Sequence, residues 1–382
     1  MEITKDIRYV GVNDREIDLF EGQFEVENGM AYNSYVISDD KTAVMDSVDA
    51  RFGSEWIENI KTVLGSAEPD YLVVQHMEPD HSGSILKFME TYKNSKLVLG
   101  SKAAVMMKQF FGTDFADRQI IISDGDKLNL GRHELNFVAA PMVHWPEVIM
   151  SYDSFDKVIF SADAFGKFGT LDTDEDWACE ARRYYFGIVG KYGMQVQNVL
   201  KKLNTLEIST ICPLHGPIIC ENPEYYINLY NTWSSYGVES YGVAICYTSV
   251  YGGTEKAAKM LAAELEKSGV KAALSDLARC DMAEAVEDAF RYGKLVLATT
   301  TYNNDIFPFM RTFIDGLLER NYQNRTIAFI ENGTWAPTAA KVMRGMFEKS
   351  KNITFAENGV RIMSAMNETN EKEIKLLAEE LR

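Results

Sequence analysis

Beyond residue 241, apolar runs of strand length alternate with helical patterns. The first run covers residues 243–247, and an amphipathic helix is predicted over 254–269, where a glycine ends it. Further strands are predicted at 295–299 and 326–330, and further helices at 308–319, 336–349 and 368–381. Strands that are apolar throughout and alternate with helices predict a parallel sheet with helices on both faces.

The first two-thirds of the chain has a different pattern, in which strands are separated by turns and a few helices. Strands are expected at 71–74, 96–100, 135–139 and 157–160, helices at 55–64, 101–110 and about 184–203, and a turn into a hairpin at 123–132. The chain has 382 residues, more than the ~250–300 at which one hydrophobic core stops growing. We therefore predict an α/β protein with two domains, 1–240 and 241–382, and a helix and linker at 221–242.

The charge balance excludes some classes of partner. The net charge is −17, which argues against binding to nucleic acid or to an anionic membrane surface. The N-terminal residues lack the pattern of a secretion signal, and no apolar run approaches the ~20 residues that span a bilayer. The five cysteines form no Cys-x-x-Cys pair, so neither a disulfide framework nor a thiolate metal site is expected. We expect a cytoplasmic protein.

A dense group of metal-binding side chains follows the predicted strand at 71–74. Its members are His76, Glu78, Asp80 and His81, four residues within six positions. In an extended segment, positions 76, 78 and 80 project to one side. The turn permitted by Gly83 would then bring His81 round to them. An accidental grouping of this kind is improbable, so the segment predicts a metal site.

Three more candidate ligands, His144, Asp163 and His215, each follow a predicted strand. Any one of them alone has an ordinary explanation, because a single histidine is more often structural and an aspartate often caps a helix. Together they extend the metal site, and imidazole and carboxylate ligands without thiolates fit iron, manganese or zinc. His133 lies in the predicted hairpin, where we expect it to be exposed to solvent.

The order His-x-Glu-x-Asp-His, then a lone His, an Asp and a final His, resembles the metallo-β-lactamase-like domain of the flavodiiron proteins. Hydrolytic members of that superfamily have histidine where this chain has Glu78, and the carboxylate favours iron over zinc. The resemblance implies an αββα sandwich that holds two irons. One iron would be bound by His76, Glu78 and His144, the other by Asp80, His81 and His215, with Asp163 bridging them. Tyr192 is a candidate donor beside this site, although packing in the core explains it equally well.

A separate signal lies between the first strand and the first helix of the second domain. The residues are Thr248, Ser249, Val250, Tyr251, Gly252, Gly253 and Thr254. Hydroxyls and backbone N–H groups at a helix N-terminus bind anions, and glycines let the backbone approach a phosphate closely. The loop matches neither the dinucleotide-binding pattern nor the P-loop. It resembles the FMN-phosphate loop of flavodoxins.

Two later loops fit the same resemblance, since ligands of such sheets bind beyond the carboxyl ends of the strands. They contain Thr300, Thr301, Tyr302, Asn303 and Asn304, and then Asn332, Gly333, Thr334 and Trp335. Tyr302 and Trp335 would flank the isoalloxazine ring, and the asparagines would hydrogen-bond its edge. Alternatively, the aromatic residues contact a partner and the asparagines only form a turn. The three loops together imply a flavodoxin-like, doubly wound parallel sheet that binds FMN.

The combined resemblance implies an enzyme that reduces O2 to water, NO to N2O, or both, with electrons delivered to the irons through FMN. It also implies a head-to-tail homodimer or a dimer of such dimers. No Cys-x-x-Cys pair follows the flavodoxin-like pattern, so a separate donor, rubredoxin or a similar protein, is expected. Two alternatives stay open: a zinc hydrolase with an appended flavodoxin module, and a flavin electron carrier with a structural metal domain.

Overall fold

Two β-sheets form the centre of Met1–Asn231, the first of two units in a computed structural model that describes residues 1–382. Six strands form the first sheet, in the spatial order Ile7–Tyr9, Tyr35–Ser38, Thr42–Met45, Tyr71–Val74, Lys96–Gly100 and Gln119–Ile122. Five strands form the second, in the order Lys127–Asn129, Glu134–Ala139, Ile149–Asp153, Val158–Phe160 and Thr210–Cys212. Two short pairs accompany them, Val12–Asp14 with Met30–Tyr32 and Leu19–Phe20 with Phe24–Glu25.

The two sheets share one core because successive side chains of a strand point to opposite faces. Met45 of the first sheet and Phe137 and Phe160 of the second belong to the same buried apolar cluster. Val44 is buried on the other face of the first sheet. The α-helices that lie within this unit are Gly53–Leu64, Pro79–Ser82, Ile85–Thr91, Ser101–Phe111, Trp177–Tyr184 and Gly193–Leu203, and the helix Pro223–Ser234 begins in it. The predicted αββα sandwich is confirmed.

The single helix expected at about 184–203 is interrupted in the structure. Trp177–Tyr184 is followed by a π-helical turn, Tyr185–Val189, and a 3-10 turn, Gly190–Tyr192, before the α-helix Gly193–Leu203 begins. Residues 187, 190 and 193 are glycines, and glycine is a poor former of helix interiors. The apolar periodicity continues through this segment, but its backbone changes helix type.

A mostly parallel sheet forms the centre of Thr232–Arg382. Its main strands are, in spatial order, Ala272–Asp276, Ser240–Tyr247, Tyr292–Tyr302, Thr326–Asn332 and Thr354–Phe355, with Asp305–Ile306 and Val360–Ile362 paired to its central strands. The helices are Gly253–Lys267, Met282–Arg291, Pro308–Glu319, Ala339–Met346 and Glu368–Glu380. This confirms the flavodoxin-like sheet, and it adds the strand at 272–276 and the helix at 282–291, which the sequence patterns did not reveal.

The division between the two units falls inside the helix Pro223–Ser234. The domain limits 1–240 and 241–382 therefore remain predictions. None of the helices combines the length and the apolarity that are needed to cross a bilayer.

The expectation that His133 is exposed is wrong. Its side chain is fully buried, with Nδ1 at 2.9 Å from Asp153 Oδ2 and Nε2 at 3.5 Å from Asp6 Oδ2. The neighbouring Arg132 takes the half-exposed place in the hairpin, with its guanidinium over the ring of Phe155. Burial lowers the pKa of His133, but the two carboxylates outweigh it and raise this pKa above its usual value.

Replacing the imidazole of His133 tests its interaction with Asp153 and Asp6. We expect His133→Gln to lower the free energy of unfolding by about 1–3 kcal/mol near pH 6, because a hydrogen bond to a charged group is lost. The pKa of His133 is higher in the folded protein than in the unfolded one, where it is ~6.5, so protonation of His133 stabilises the fold. This stabilisation is complete below pH ~6.5 and is lost as the pH rises through the pKa of the folded state. In urea unfolding at a series of pH values, the difference between wild type and variant should narrow as the pH rises. A difference that stays constant or widens contradicts the assignment.

Candidate metal centre and ligand cavity

Strand ends bring the predicted metal ligands together. Tyr71–Val74 ends two residues before His76. Val158–Phe160 and Thr210–Cys212 run parallel with Phe160 opposite Cys212, and each ends three residues before its ligand, Asp163 or His215. Asp163 and His215 therefore leave the second sheet at the same edge.

Four of the seven predicted ligands form the first cluster: His76, Glu78, His144 and Asp163, whose ligand atoms all lie within 4.8 Å of one another. His76 Nε2 is 3.2 Å from Glu78 Oε2 and 3.2 Å from Asp163 Oδ2. His144 Nε2 is 3.0 Å from each of the same two oxygens. Two imidazole nitrogens and two carboxylate oxygens thus converge on one point.

The second cluster consists of Asp80, His81 and His215. The Nε2 atoms of the two histidines are 2.9 Å apart, and Asp80 Oδ2 lies 3.2 Å from that of His81 and 3.3 Å from that of His215. Asp163 Oδ1 lies 3.4 Å and 3.7 Å from the same nitrogens. Asp163 therefore presents one carboxylate oxygen to each cluster.

The expectation that positions 76, 78 and 80 project to one side is wrong, because the extended segment ends at Glu78. A helical turn, Pro79–Ser82, begins there and carries Asp80 into the second cluster. Gly83 has a right-handed backbone, so a left-handed turn is not the reason for a glycine. A Cβ atom at this position would lie 2.6 Å from Pro79 O and 2.7 Å from Ala50 N. The residue must be small because two backbone segments meet there.

The carboxylates of the clusters are held in their ionised form. Burial opposes the charge of Asp163, but the surrounding imidazoles of His76, His144 and His81 keep the pKa of its carboxyl well below the usual range. Burial also opposes protonation of the histidines, yet Asp80 and Asp163 raise the pKa of His81 to about 10. Asp163 and Glu78 raise the pKa of His144 to about 9. A divalent cation that binds here must displace these protons.

Buried oxygens without hydrogen-bond donors indicate that the clusters suit a cation. Both carboxylate oxygens of Asp80 and both of Asp163 are buried without such a donor. Buried polar atoms are normally hydrogen-bonded, and exceptions often mark an ion that completes the site. The donors are nitrogen and oxygen alone, so the residues fit a non-haem metal.

Several contacts around the clusters were not predicted from the sequence. His76 Nδ1 is 2.9 Å from Glu147 Oε1, and His215 Nδ1 is 2.8 Å from Ala31 O. The rings of Phe20, Tyr32 and Tyr184 lie 5.3, 6.1 and 5.5 Å from the ring of His215. Nothing local in the sequence marks these residues, because each comes from a distant segment.

The role assigned to Tyr192 remains a prediction. Its side chain is half-buried at the end of the turn Gly190–Tyr192. The ring of Tyr184, one helix earlier, packs near His215.

A second candidate site lies in Thr232–Arg382, at the carboxyl ends of the strands. The three predicted loops, with the exception of Thr248, line a cavity of about 1110 Å³, together with Lys256, Ser364, Ala365 and Met366. Thr248 is buried, and its hydroxyl lies 2.6 Å from that of Thr299. The cavity is large enough for a cofactor of nucleotide size.

The loops of this cavity have distinct backbones. The helix Gly253–Lys267 begins in the first loop, directly after Gly252, whose φ of 84° is left-handed. The central strand extends to Tyr302, further than expected, and pairs with Asp305–Ile306. Asn303 and Asn304, both with positive φ, therefore form a two-residue hairpin turn of the kind that asparagine favours.

Comparison with known proteins gives matches to both units. The family model described as "ODP family beta lactamase" matches residues 30–216, and the flavodoxin model matches residues 245–368. A nitric oxide reductase of Moorella thermoacetica is 30% identical, over 94% of this chain and 92% of its own.

Solved structures share the fold along the chain. The rubredoxin oxygen:oxidoreductase of Desulfovibrio gigas is 24% identical and matches with a TM-score of 0.91, covering 100% of this chain and 97% of its own. The flavodiiron protein of Giardia intestinalis is 23% identical, with a TM-score of 0.91 and coverages of 100% and 96%.

The fold and the site define a two-domain protein in which a β-lactamase-like metal domain precedes a flavodoxin domain. The chain belongs to the flavodiiron protein family.

The close packing at Gly83 leads to a prediction about the metal centre. We expect Gly83→Ala to lower stability by about 1–3 kcal/mol, because the added Cβ overpacks two backbone atoms. It should also displace Asp80 and His81 and so reduce the amount of metal bound. Thermal unfolding and metal analysis measure the two effects. Gly345→Ala is the matched control, since no atom lies within 4 Å of its added Cβ; an equal effect of both substitutions contradicts the explanation.

Proposed function

We propose that this chain reduces O2 to water, NO to N2O, or both, at a pair of irons that receive electrons through FMN. The observation that carries the proposal is the position of Asp163. One of its oxygens lies with His76, Glu78 and His144, and the other faces the cluster that contains His81 and His215. A carboxylate in this position can bridge two cations.

The donor set supports iron as the metal. Each of the two clusters offers imidazole and carboxylate ligands, and neither contains a cysteine. Glu78 adds an anionic oxygen to the first cluster, and hard oxygen ligands favour iron over zinc. The first iron would be held by His76, Glu78 and His144, the second by Asp80, His81 and His215, with Asp163 between them.

Bound irons would supply electrons and Lewis acidity for the reduction of a diatomic gas. The chain contributes a fixed array of ligands and an apolar surround. The rings of Phe20, Tyr32 and Tyr184 pack beside His215 and limit the access of water. Low polarity beside the ligands also strengthens their electrostatic interaction with bound cations.

The cavity of the second unit supports FMN as the flavin. Ser249 Oγ accepts a hydrogen bond from Gly252 N, and the helix Gly253–Lys267 presents its N-terminus to the same cavity. This end of the cavity, with Lys256 on its lining, suits one terminal phosphate. Trp335 and Tyr302 line the cavity with exposed rings that suit stacking on isoalloxazine. A flavin held by these residues would supply one-electron redox chemistry.

The assembly and the electron donor belong to the same proposal. We expect a head-to-tail homodimer, or a dimer of such dimers, in which the FMN of one subunit serves the irons of the other. We also expect a rubredoxin as the external donor, which the name of the Desulfovibrio gigas structural relative supports.

Turnover with reduced rubredoxin, in an anaerobic mixture to which O2 or NO is added as the only oxidant, tests the activity. We expect consumption of O2 or NO by protein that contains two irons per chain. The variant His215→Asn should lose more than about 100-fold in rate and part of its iron, because a direct ligand matters at least as much as its supporting residues. His133→Gln is the control, since it alters a buried histidine outside the two clusters and should keep both iron and rate.

Three results would contradict the proposal. Zinc in place of iron, with hydrolytic activity, would favour a hydrolase. Gas consumption that survives His215→Asn would favour a flavin carrier with a structural metal domain. Iron-loaded protein that consumes neither gas would leave the activity without support.

Mixing two inactive variants tests the FMN site and the dimer together. We expect Gly253→Val to lose FMN, because a side chain there meets Asn332 Nδ2 at 2.9 Å and Ser364 O at 3.2 Å. Flavin absorbance after gel filtration measures the loss. Heterodimers of Gly253→Val with His215→Asn would contain one intact FMN and iron pair across the interface, and activity should return. A monomer with full turnover contradicts the dimer.

A further inference from the structure

A buried carboxylate fixes the ring of His76. The Nδ1 atom of His76 lies 2.9 Å from Glu147 Oε1, and neither side chain is exposed. The backbone N–H of Met77 donates to the same oxygen at 2.9 Å. An ionised carboxylate only accepts hydrogen bonds, so Oε1 accepts from His76 Nδ1 as well as from Met77 N. His76 therefore keeps a proton on Nδ1, and Nε2 is the nitrogen that is available to a metal beside Glu78 and Asp163.

The second cluster has no equivalent of Glu147. His215 Nδ1 lies 2.8 Å from Ala31 O, which is a neutral carbonyl, and His81 Nδ1 is buried without a hydrogen-bond partner. A carbonyl orients an imidazole, but it brings no negative charge. The two clusters thus share Asp163 and differ in the groups that support their histidines.

We propose that Glu147 is a positioning residue that makes the first cluster the tighter of the two metal positions. The inference rests on the proposed function only in that both clusters bind a metal. A carboxylate behind a metal-binding histidine fixes the ring and increases its basicity, and such partners affect metal affinity by about 10–100-fold. Glu78 and one oxygen of Asp163 face the first position, and Glu147 lies behind the ring of His76. Asp80 and the other oxygen of Asp163 face the second.

Two substitutions separate the orientation of the ring from the charge behind it. In Glu147→Gln the amide oxygen can still accept from His76 Nδ1 and from Met77 N, so the tautomer is kept and the charge is lost. In Glu147→Leu the hydrogen bond that orients the ring of His76 and the negative charge are both lost. We expect metal affinity at the first position to fall by about 10–100-fold in the Gln variant and further in the Leu variant.

Co²⁺ titration of the metal-free protein reads each position separately. The variant His215→Asn leaves the first cluster intact, and His144→Asn leaves the second. In each background we would add Glu147→Gln and follow Co²⁺ binding by calorimetry and by the visible absorbance of the ion. The affinity should fall in the His215→Asn background and stay unchanged in the His144→Asn background.

Asp153→Asn provides a matched control. Asp153 is a fully buried carboxylate that lies 2.9 Å from Nδ1 of His133, outside the two clusters. Its substitution also removes the charge of a buried carboxylate next to a histidine Nδ1, and it should leave Co²⁺ binding unchanged at both metal positions. If Asp153→Asn weakens binding as much as Glu147→Gln does, the effect is one of general stability and the inference is overturned.

The remaining outcomes separate this inference from the proposed function. A wild-type protein that binds no Co²⁺ would overturn the two-metal site itself. A protein that binds two Co²⁺ ions, with Glu147→Gln altering neither position or both equally, would overturn only the role of Glu147. Should Glu147→Leu fail to fold, the Gln variant still decides, because it keeps the size and the hydrogen bonds of the side chain.

Discussion

The carboxylate of Asp163 is the constraint around which the first unit is organised. It is buried, neither of its oxygens has a hydrogen-bond donor, and imidazole nitrogens face it from two sides. An isolated buried carboxylate costs several kcal/mol, so the group needs a cation beside each oxygen. The two clusters meet that requirement because each of them faces one oxygen of Asp163. For the same reason, neither cluster is complete without Asp163.

Such a centre requires loops that do not move, and the first strands of the chain provide their support. Asp46 accepts hydrogen bonds from the backbone and the side chain of Gln75, directly before His76. Ser47 donates its hydroxyl hydrogen to His81 O. Tyr35 donates to Pro213 O beside His215, and Asn33 donates to Pro213 O and Gly216 O. Four side chains of one segment thus fix two ligand loops that are distant from each other in sequence.

Prediction from the sequence succeeded where a pattern is local and periodic. Strands such as Tyr71–Val74 and the first five residues of Thr326–Asn332 follow from mostly apolar runs, and the loops after them carry the candidate ligands. It failed where burial depends on a distant partner. His133 and Arg132 are adjacent, yet the histidine is buried because its two ring nitrogens lie beside the carboxylates of Asp153 and Asp6. The helix type also changed at glycines 187, 190 and 193, although the apolar spacing was continuous.

By itself the sequence determined which residues are available for chemistry: seven candidate metal ligands and three loops at strand ends, each visible as a short pattern. The tertiary structure alone decided how they are grouped. Asp80 joined His215 because a helical turn starts at Pro79, Glu147 met His76 across two chain segments, and Asp163 came to lie between both clusters. The physical reason is distance. A ligand set can be recognised from neighbouring residues, but pairing depends on contacts between residues that only the folded sheets bring within a few ångströms.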